Sequence, residues 1–215
     1  MLSNDSVMNE EIRGLRPGSA FAKRSFDLIL STLGLLLTWW IIVAAALLAT
    51  IDTKQSGFFR QARVGRHGRI FKVIKIRTMR PVEGVETTVT SSEDPRITSL
   101  GAFIRRTKID ELPQLINVFC GQMSFVGPRP DVPGFADRLQ GRDQVILSVR
   151  PGITGPATLK YRDEESLLAD QPDPERFNTE VIYPDKVRIN RDYVEKYTFW
   201  NDVRYIWVTI VSRER

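Results

Sequence analysis

An uncharged run of 24 residues, 28–51, dominates the pattern of hydrophobic and polar positions, with Asp27 and Asp52 at its ends. As a helix the run is about 36 Å long, which is enough to cross a bilayer core of about 30 Å. It begins too late and runs too long for a secretory signal. The alternative is a core helix, which a small protein would have to cover on all sides. We therefore predict a membrane-inserted helix at residues 21–54.

Basic residues flank this helix on both sides. Four Lys or Arg residues precede it, and nine more lie between it and residue 80. Basic flanks stay in the cytoplasm, so a re-entrant hairpin, which exports neither flank, is favoured over a simple span, which exports one. The pair Trp39–Trp40 near the midpoint also fits a span poorly, because tryptophan prefers the membrane interface. The spanning form stays open as the alternative.

Shorter patterns follow the apolar run. Alternating residues predict two strands at 57–63 and 69–78, joined by a turn at 65–68. Apolar residues at helical spacing predict several short helices and a final amphipathic helix, which either lies at a membrane interface or packs as a terminal helix. The expected helical segments are 99–107, 110–120, 135–148, part of 162–180, and 197–211.

These elements predict an α+β fold in three parts. The parts are a flexible tail at 1–20, the membrane-inserted helix at 21–54, and a globular domain at 55–215. The domain would hold a small β-hairpin and be mostly helical, with interfacial amphipathic helices. Residues 81–95 are polar and are expected to form a mobile loop.

Charge and composition narrow the chemistry. The net charge is +5, but residues 1–80 carry +8 and residues 81–215 carry −3. A basic front suggests an anionic partner: lipid headgroups, nucleic acid or a phosphorylated substrate. We expect no nucleic acid, because a membrane segment adjoins the basic hairpin. Cys120 and His67 are the only residues of their types, which excludes a disulfide framework and Cys-rich or His-rich metal sites.

The adjacent carboxylates Asp110 and Glu111 are the strongest candidates for chemistry. Asp110 stands where the N-cap of the predicted helix 110–120 belongs, and there the helix dipole would keep its carboxylate ionised. An ionised aspartate can attack phosphorus and can bind Mg²⁺. The alternative is an ordinary capping aspartate.

Three arginines could bind the phosphates. Arg129 stands between Pro128 and Pro130, and Arg150 opens a Pro- and Gly-rich segment. Proline fixes φ, so each guanidinium leaves a stiff backbone, and this suits two-pronged phosphate recognition. Each segment alone could be a simple turn, and Arg105 could lie on a solvated helix face.

Several motifs in fixed order resemble the bacterial sugar transferases called small monotopic phosphoglycosyl transferases. The resemblance covers about residues 20–212. The motifs are KRSFD at 23–27, FKVIKIRTM at 71–79, DELPQLINV at 110–118, MSFVGPRP at 123–130 and RPGITG at 150–155.

The resemblance implies a reaction that begins surface-glycan synthesis. A sugar 1-phosphate would pass from a UDP-sugar to a polyprenyl phosphate such as undecaprenyl phosphate, with Mg²⁺ as cofactor and UMP as product. Residues 55–215 would be the catalytic domain, on the cytoplasmic face of the bacterial inner membrane among its lipids. The helix at 21–54 would be re-entrant.

The same resemblance assigns roles to residues. Asp110 would be the nucleophile of a covalent phosphosugar intermediate, and Glu111 would assist through the metal or the proton. Arg105 would contact the lipid phosphate. Arg129, in its frame of Pro128 and Pro130, and Arg150 would lie near the nucleotide and its phosphates.

One position departs from the family pattern. Many members break the membrane helix at a Ser-Pro pair, where this chain has Trp39–Trp40. Two other functions remain: a Mg²⁺-dependent hydrolase of nucleotide-sugars or lipid pyrophosphates, and a non-catalytic membrane adapter. The sequence leaves the sugar, the glycan and the oligomeric state open.

Overall fold

A computed structural model describes residues 14–82 and 94–211 of the chain. The fold mixes helix and sheet and is mostly helical, in agreement with the predicted class. The first half contains α1 (Pro17–Thr53), β1 (Phe58–Val64), β2 (Ile70–Ile76), α2 (Ser99–Arg106), a 3₁₀ turn (Ile109–Glu111), α3 (Gln114–Phe119) and β3 (Ser124–Val126). The second half contains β4 (Gly152–Thr154), α4 (Pro156–Lys160), α5 (Glu164–Ala169), α6 (Pro174–Phe177), α7 (Tyr183–Glu195) and α8 (Phe199–Val211).

The long helix α1 has two different faces. Its 37 residues are helical without interruption and apolar enough to cross a membrane. Two stretches of it, however, bury side chains at helical spacing against the rest of the protein: Lys23, Asp27 and Ser31 near the start, and Ile42, Ala45, Ala46, Ala49 and Thr53 in the second half. The opposite face exposes large apolar side chains. These are Leu28, Ile29, Leu33, Leu36, Leu37, Trp39, Trp40, Val43, Leu47, Leu48 and Ile51.

Polar contacts hold the start of α1 on the globular domain. Lys23 makes a buried ion pair with Asp202 of α8. Asp27 accepts hydrogen bonds through Oδ1 from the Ser124 hydroxyl and from the Phe125 amide, both at 3.0 Å. Arg24 donates to the last carbonyls of α3, which lack partners within their own helix. A purely apolar helix would have no such fixed register.

The second half of α1 packs through small residues. Ala45, Ala46 and Ala49 are buried together with Ile76 of β2 and Ile104 of α2. Gly57 passes so close that a Cβ there would lie 1.9 Å from the Ala46 carbonyl oxygen. This backbone approach requires glycine and brings the β-hairpin against the helix.

Antiparallel strands β1 and β2 form the hairpin, with Phe58 opposite Ile76 and Val64 opposite Ile70. Asn117 of α3 attaches to its edge: Oδ1 accepts from the Ile74 amide and Nδ2 donates to the Lys72 carbonyl. A buried amide that satisfies two backbone groups holds α3 in one position beside β2.

A short parallel pair, β3 and β4, supports the segment after Val126. A Cβ at Gly152 would lie 2.1 Å from the Gly127 nitrogen, and one at Gly155 would lie 2.3 Å from the Gly127 carbonyl oxygen. Three glycines therefore let two chain segments cross at backbone contact.

Several sequence predictions are confirmed and others are wrong. The hairpin, α2 and α8 lie where predicted. The single helix expected over 110–120 is a 3₁₀ turn followed by α3, because Pro113 interrupts it. The helix expected at 135–148 is instead two 3₁₀ segments, Ala136–Arg138 and Gly141–Ser148.

Other predictions concern the membrane helix, the tail and the loop. Helix α1 begins at Pro17, inside the predicted tail 1–20, whose residues 1–13 lie outside the described residues. Most of the predicted loop 81–95 also lies outside them. The re-entrant form is not shown and stays a prediction. Strands β3 and β4 and helices α4 and α7 were not predicted from the sequence.

We predict that Lys23→Met destabilises the fold by about 3 to 5 kcal/mol, since removing one partner leaves Asp202 charged and buried. The double variant Lys23→Met/Asp202→Asn should recover part of this loss. Chemical denaturation in detergent measures both. Lys72→Met, at an exposed lysine of β2, is the matched control and should change stability little. A double variant no more stable than the single one would contradict the role of the pair.

Candidate functional site

Asp110 lies in the tight 3₁₀ turn between α2 and α3. Lys108, just before it, has a positive φ of 59°, a strained conformation for a residue with a side chain. The Lys108 carbonyl accepts from the Glu111 amide and closes the turn. Asp110 is therefore not the helix N-cap that the sequence predicted. The turn, and not a helix end, sets its position.

The carboxylate of Asp110 is buried and short of partners. The residue is 8% exposed, and Oδ1 has no hydrogen-bond partner in the described part of the chain. Burial raises the pKa of Asp110 to about 6, and neighbouring Glu111 adds to this. Lys75, Lys108 and Arg105 act in the opposite direction without cancelling it. Asp110 therefore lacks the helix N-cap position that was expected to stabilise its charged form, and burial disfavours that form instead.

Glu111 has the opposite electrostatic balance. Burial alone would raise its pKa, but Lys75, Arg129 and Lys108 outweigh burial and hold the pKa below its ordinary value. Lys75 Nζ lies 3.5 Å from Glu111 Oε1. Two adjacent carboxylates thus have pKa values displaced in opposite directions, a pattern typical of catalytic sites.

Arg105, in the last turn of α2, lies near Asp110. Its Nε donates to the Thr78 hydroxyl at 2.9 Å, and Nη2 lies 3.3 Å from the Met79 sulfur. These contacts fix the guanidinium plane after strand β2. Its charge is close enough to lower the pKa of Asp110, so the structure brings Arg105 to the site.

The loop of Pro128, Arg129 and Pro130 also reaches the site. The Pro128 carbonyl accepts from the Gly152 amide, and the Pro130 carbonyl accepts from Arg63 at 3.1 Å. The loop is therefore anchored on both sides of Arg129, whose own side chain stays exposed. A cavity of about 20 Å³ lies between the loop and Glu111. It is lined by Arg63, Val73, Lys75, Glu111, Gln114, Arg129, Pro130, Gly152 and Ile153.

Arg150 is not part of this arrangement. Its Nε donates to the carbonyl of Gly121, which follows α3, whereas Asp110 precedes α3. The side chain lines a different cavity, next to Arg66. The structure therefore brings together four of the predicted charged residues: Asp110, Glu111, Arg105 and Arg129. It places the fifth, Arg150, at the other end of α3.

The carboxylates fit the magnesium ion that the resemblance implies. Oδ1 of Asp110 is a buried oxygen acceptor without a partner, and Glu111 follows in the same turn. Mg²⁺ is commonly held by one or two carboxylates together with substrate phosphates. Within the described residues no three Asp, Glu, His or Cys side chains cluster, so such an ion would need oxygens from the substrate.

Sequence reasoning missed several residues of the site. Lys75 is one of several basic residues on the predicted hairpin and does not stand out among them in the sequence. Lys108 gives no signal before its backbone angle is known. Arg63 and Gln114 line the small cavity as well. Alternation along β2 could have indicated Lys75, but only the packing of α3 shows which face of the hairpin meets Asp110.

Comparisons with known proteins give a consistent result. Residues 18–213 match the family model described as bacterial sugar transferase. The UDP-glucose:undecaprenyl-phosphate glucose-1-phosphate transferase of Escherichia coli (strain K12) is 34% identical over 193 residues, 87% of this chain and 39% of that relative. Exopolysaccharide production protein ExoY of Rhizobium meliloti (strain 1021) is 30% identical over 224 residues, 97% of this chain and 92% of the relative.

A third relative is the undecaprenyl-phosphate galactose phosphotransferase of Salmonella typhimurium. It is 32% identical over 207 residues, 89% of this chain and 40% of its own length. The chain therefore spans about two fifths of two of these relatives and nearly all of the third.

We predict that Asp110→Asn stabilises the folded protein at pH 8 by up to about 3 kcal/mol and has little effect at pH 4. A pKa raised from 3.8 to about 6 means that the folded state disfavours the charged carboxylate, so this carboxylate lowers stability progressively as the pH rises from about 4 through 6. Denaturation at the two pH values measures the difference. Asp52→Asn, at an exposed carboxylate, is the control and should show no such pH dependence. An Asp110→Asn variant less stable at pH 8 would contradict the burial argument.

Proposed function

Because the chain belongs to the bacterial sugar transferase family, we propose that it transfers a sugar 1-phosphate from a UDP-sugar to undecaprenyl or another polyprenyl phosphate. UMP is the second product. The reaction would begin the synthesis of a surface polysaccharide or glycoconjugate on the cytoplasmic face of the inner membrane. Relatives named for undecaprenyl-phosphate sugar transfer and for exopolysaccharide production support this proposal.

One observation carries the proposal: Asp110 is buried, its Oδ1 has no hydrogen-bond partner in the described part of the chain, and basic side chains from three segments lie around it and Glu111. Lys75 comes from β2, Arg105 from α2 and Arg129 from the proline-framed loop. These cations suit the phosphates of the donor and of the lipid acceptor. A purely structural ion pair would satisfy both carboxylate oxygens, and Asp110 Oδ1 has no partner in the described part of the chain.

The first step uses Asp110 as the nucleophile. A carboxylate oxygen attacks the β-phosphorus of the UDP-sugar, a P–O bond to Asp110 forms, and the bond from this phosphorus to the bridging oxygen breaks, so UMP leaves with that electron pair. Arg129 and Lys75 offset the charge on the phosphate oxygens, which is the main requirement in phosphoryl transfer. Desolvation of Asp110 keeps water away from the intermediate.

The second step reverses the first with a different partner. An oxygen of the polyprenyl phosphate attacks the phosphorus of the aspartyl intermediate and releases the Asp110 carboxylate. Arg105 would hold the lipid phosphate for this attack. Both steps use one carboxylate in turn, so ping-pong kinetics are expected.

Asp110 and Glu111 would hold Mg²⁺ together with donor phosphate oxygens. When bound, the ion would offset negative charge on the pyrophosphate.

The exposed apolar surface supports a membrane location. One side of α1 and one side of α8 remain uncovered within the described chain, and Trp200 and Trp207 of α8 are 75% and 66% exposed. The ring of Phe26 on α1 packs edge-on against Phe199 of α8, which places the two helices side by side. A polyprenyl acceptor is embedded in the bilayer, so its phosphate must be met at this interface.

The contacts of α1 argue for insertion without crossing. Lys23 near one end and Ala46 near the other both contact the globular domain. A helix that crossed the bilayer would carry one of these ends away from the domain. We therefore propose a monotopic arrangement in which both ends of α1 stay on the cytoplasmic side and its apolar face enters the lipid.

The activity is tested by UMP release from a panel of UDP-sugars with Mg²⁺ and undecaprenyl phosphate. We expect turnover that requires the lipid phosphate, a loss of at least a thousandfold in Asp110→Asn, and near wild-type rates in the exposed control Asp52→Asn. The rate should rise with pH through about 6, because the charged form of Asp110 is the nucleophile. Phosphosugar on Asp110 should be found by mass spectrometry before lipid is added.

Other results would favour the alternatives. Turnover without lipid phosphate would indicate a hydrolase. No turnover with any donor and no phosphosugar on Asp110 would indicate an adapter.

The topology is tested by cysteine labelling in a Cys120→Ser background. We expect Ser19→Cys and Gln55→Cys, at the two ends of α1, to react with a membrane-impermeant maleimide only when the cytoplasmic side is open. Inverted and right-side-out vesicles provide the comparison. Labelling of the two sites from opposite sides would show that α1 spans the membrane.

A further inference from the structure

A second cavity lies at the end of α3 opposite Asp110. Its volume is about 230 Å³, and it lies between the start of α1, the tip of the β-hairpin and the segments that flank β3 and β4. Cavities that hold drug-sized ligands measure about 300–1,000 Å³, so this one suits a group the size of a lipid headgroup better than a whole nucleotide-sugar. Its polar lining consists of Lys23, Asp27, Arg66, His67, Ser124, Ser148 and Arg150.

Arg66 and Arg150 present unused donors to this cavity. Arg66 Nε donates to the Ser148 carbonyl at 2.8 Å, and Arg150 Nε donates to the Gly121 carbonyl at 2.7 Å. Their terminal nitrogens have no hydrogen-bond acceptor within residues 14–82 and 94–211. A guanidinium fixed at Nε with two free terminal NH₂ groups is well arranged for a phosphate.

Basic groups outnumber acidic ones around these arginines, and Asp27 offsets their charge only in part. Burial, followed by the nearby Arg24 and Arg66, holds the pKa of Arg150 below its ordinary value. Lys23 is already paired with Asp202. Arg24, Arg66 and Arg150 repel one another, and a bound anion would lower this electrostatic repulsion.

A single carboxylate on the cavity wall remains incompletely satisfied. Asp27 is 1% exposed, and its Oδ1 accepts from Ser124 and Phe125. Its Oδ2 has no partner in the part of the chain that is described. A ligand with an N–H or O–H group beside its phosphate would supply the missing donor.

We propose that this cavity binds a phosphodiester headgroup that carries a hydrogen-bond donor, such as phosphoethanolamine, with the phosphate on Arg66 and Arg150 and the donor on Asp27. The site is separate from the carboxylate pair, since α3 lies between them. The nearby exposed face of α1 makes a membrane phospholipid one source of such a headgroup. A soluble glycerophosphodiester carries the same chemistry.

Native mass spectrometry of the full chain in detergent tests the site without requiring turnover, so its result is independent of the transferase proposal. The probes are phosphatidylethanolamine and phosphatidylcholine with identical acyl chains, because the choline group has no N–H donor. We expect wild type to retain phosphatidylethanolamine at least fivefold better than phosphatidylcholine. Equal retention of the two lipids would overturn the proposal.

Variants separate the two halves of the site. Arg66→Gln and Arg150→Gln should each reduce retention of phosphatidylethanolamine at least fivefold. Arg60→Gln removes the same charge from an exposed position on the same hairpin and should have no effect. Asp27→Asn keeps the acceptor oxygen for Ser124 and Phe125, and it should abolish the preference for phosphatidylethanolamine over phosphatidylcholine. Unchanged retention in Arg66→Gln would overturn the proposal.

Competition identifies the source of the headgroup. Displacement of the lipid by glycerophosphoethanolamine at equal concentration would support the headgroup site and make the soluble compound a sufficient ligand. No displacement would support the site with the membrane lipid as its ligand. Displacement by UMP would overturn the proposal, because the cavity would then belong to the nucleotide site.

Discussion

Helix α1 must satisfy two environments at once, and the rest of the structure depends on how it does so. One face is apolar and open, while the other carries Lys23, Asp27 and Ser31 into the protein interior. Burying a charge is unfavourable unless it is paired, so the contacts with Asp202 and Ser124 give this helix one register on the domain. That register fixes the position of α3, and with it the turn that holds Asp110, relative to the exposed face.

The proposed nucleophile gains its reactivity from an unfavourable position. Burial raises the pKa of Asp110 to about 6 and leaves Oδ1 without a partner, both of which oppose folding at neutral pH. The tight turn behind it contains Lys108 at a positive φ. The fold tolerates this strain because the core beneath α3 is well packed, with Val118 and Met123 fully buried. The fold therefore holds Asp110 buried, with Oδ1 unpaired within the described residues, and this fits the proposed role of nucleophile better than a structural ion pair would.

Two basic centres lie at opposite ends of the short helix α3. The one before α3 includes carboxylates and fits phosphoryl transfer, whereas the one after it has Arg24, Arg66 and Arg150 with only Asp27 nearby. Both centres draw on the β-hairpin, through Lys75 on β2 and through Arg66 at its tip. The basic hairpin therefore contributes side chains to both centres.

The sequence by itself determined the local features: the apolar run, the hairpin, the amphipathic last helix, and the motifs that contain Asp110 and Arg129. These follow from residue periodicity and from short patterns, which act over a few positions. Only the tertiary structure decided that Asp110 loses its solvent, that Lys75 faces Glu111, and that Arg150 lies away from both. Burial and distance depend on contacts between residues far apart in the chain, such as Asn117 with β2 and Lys23 with Asp202, and no local pattern encodes them.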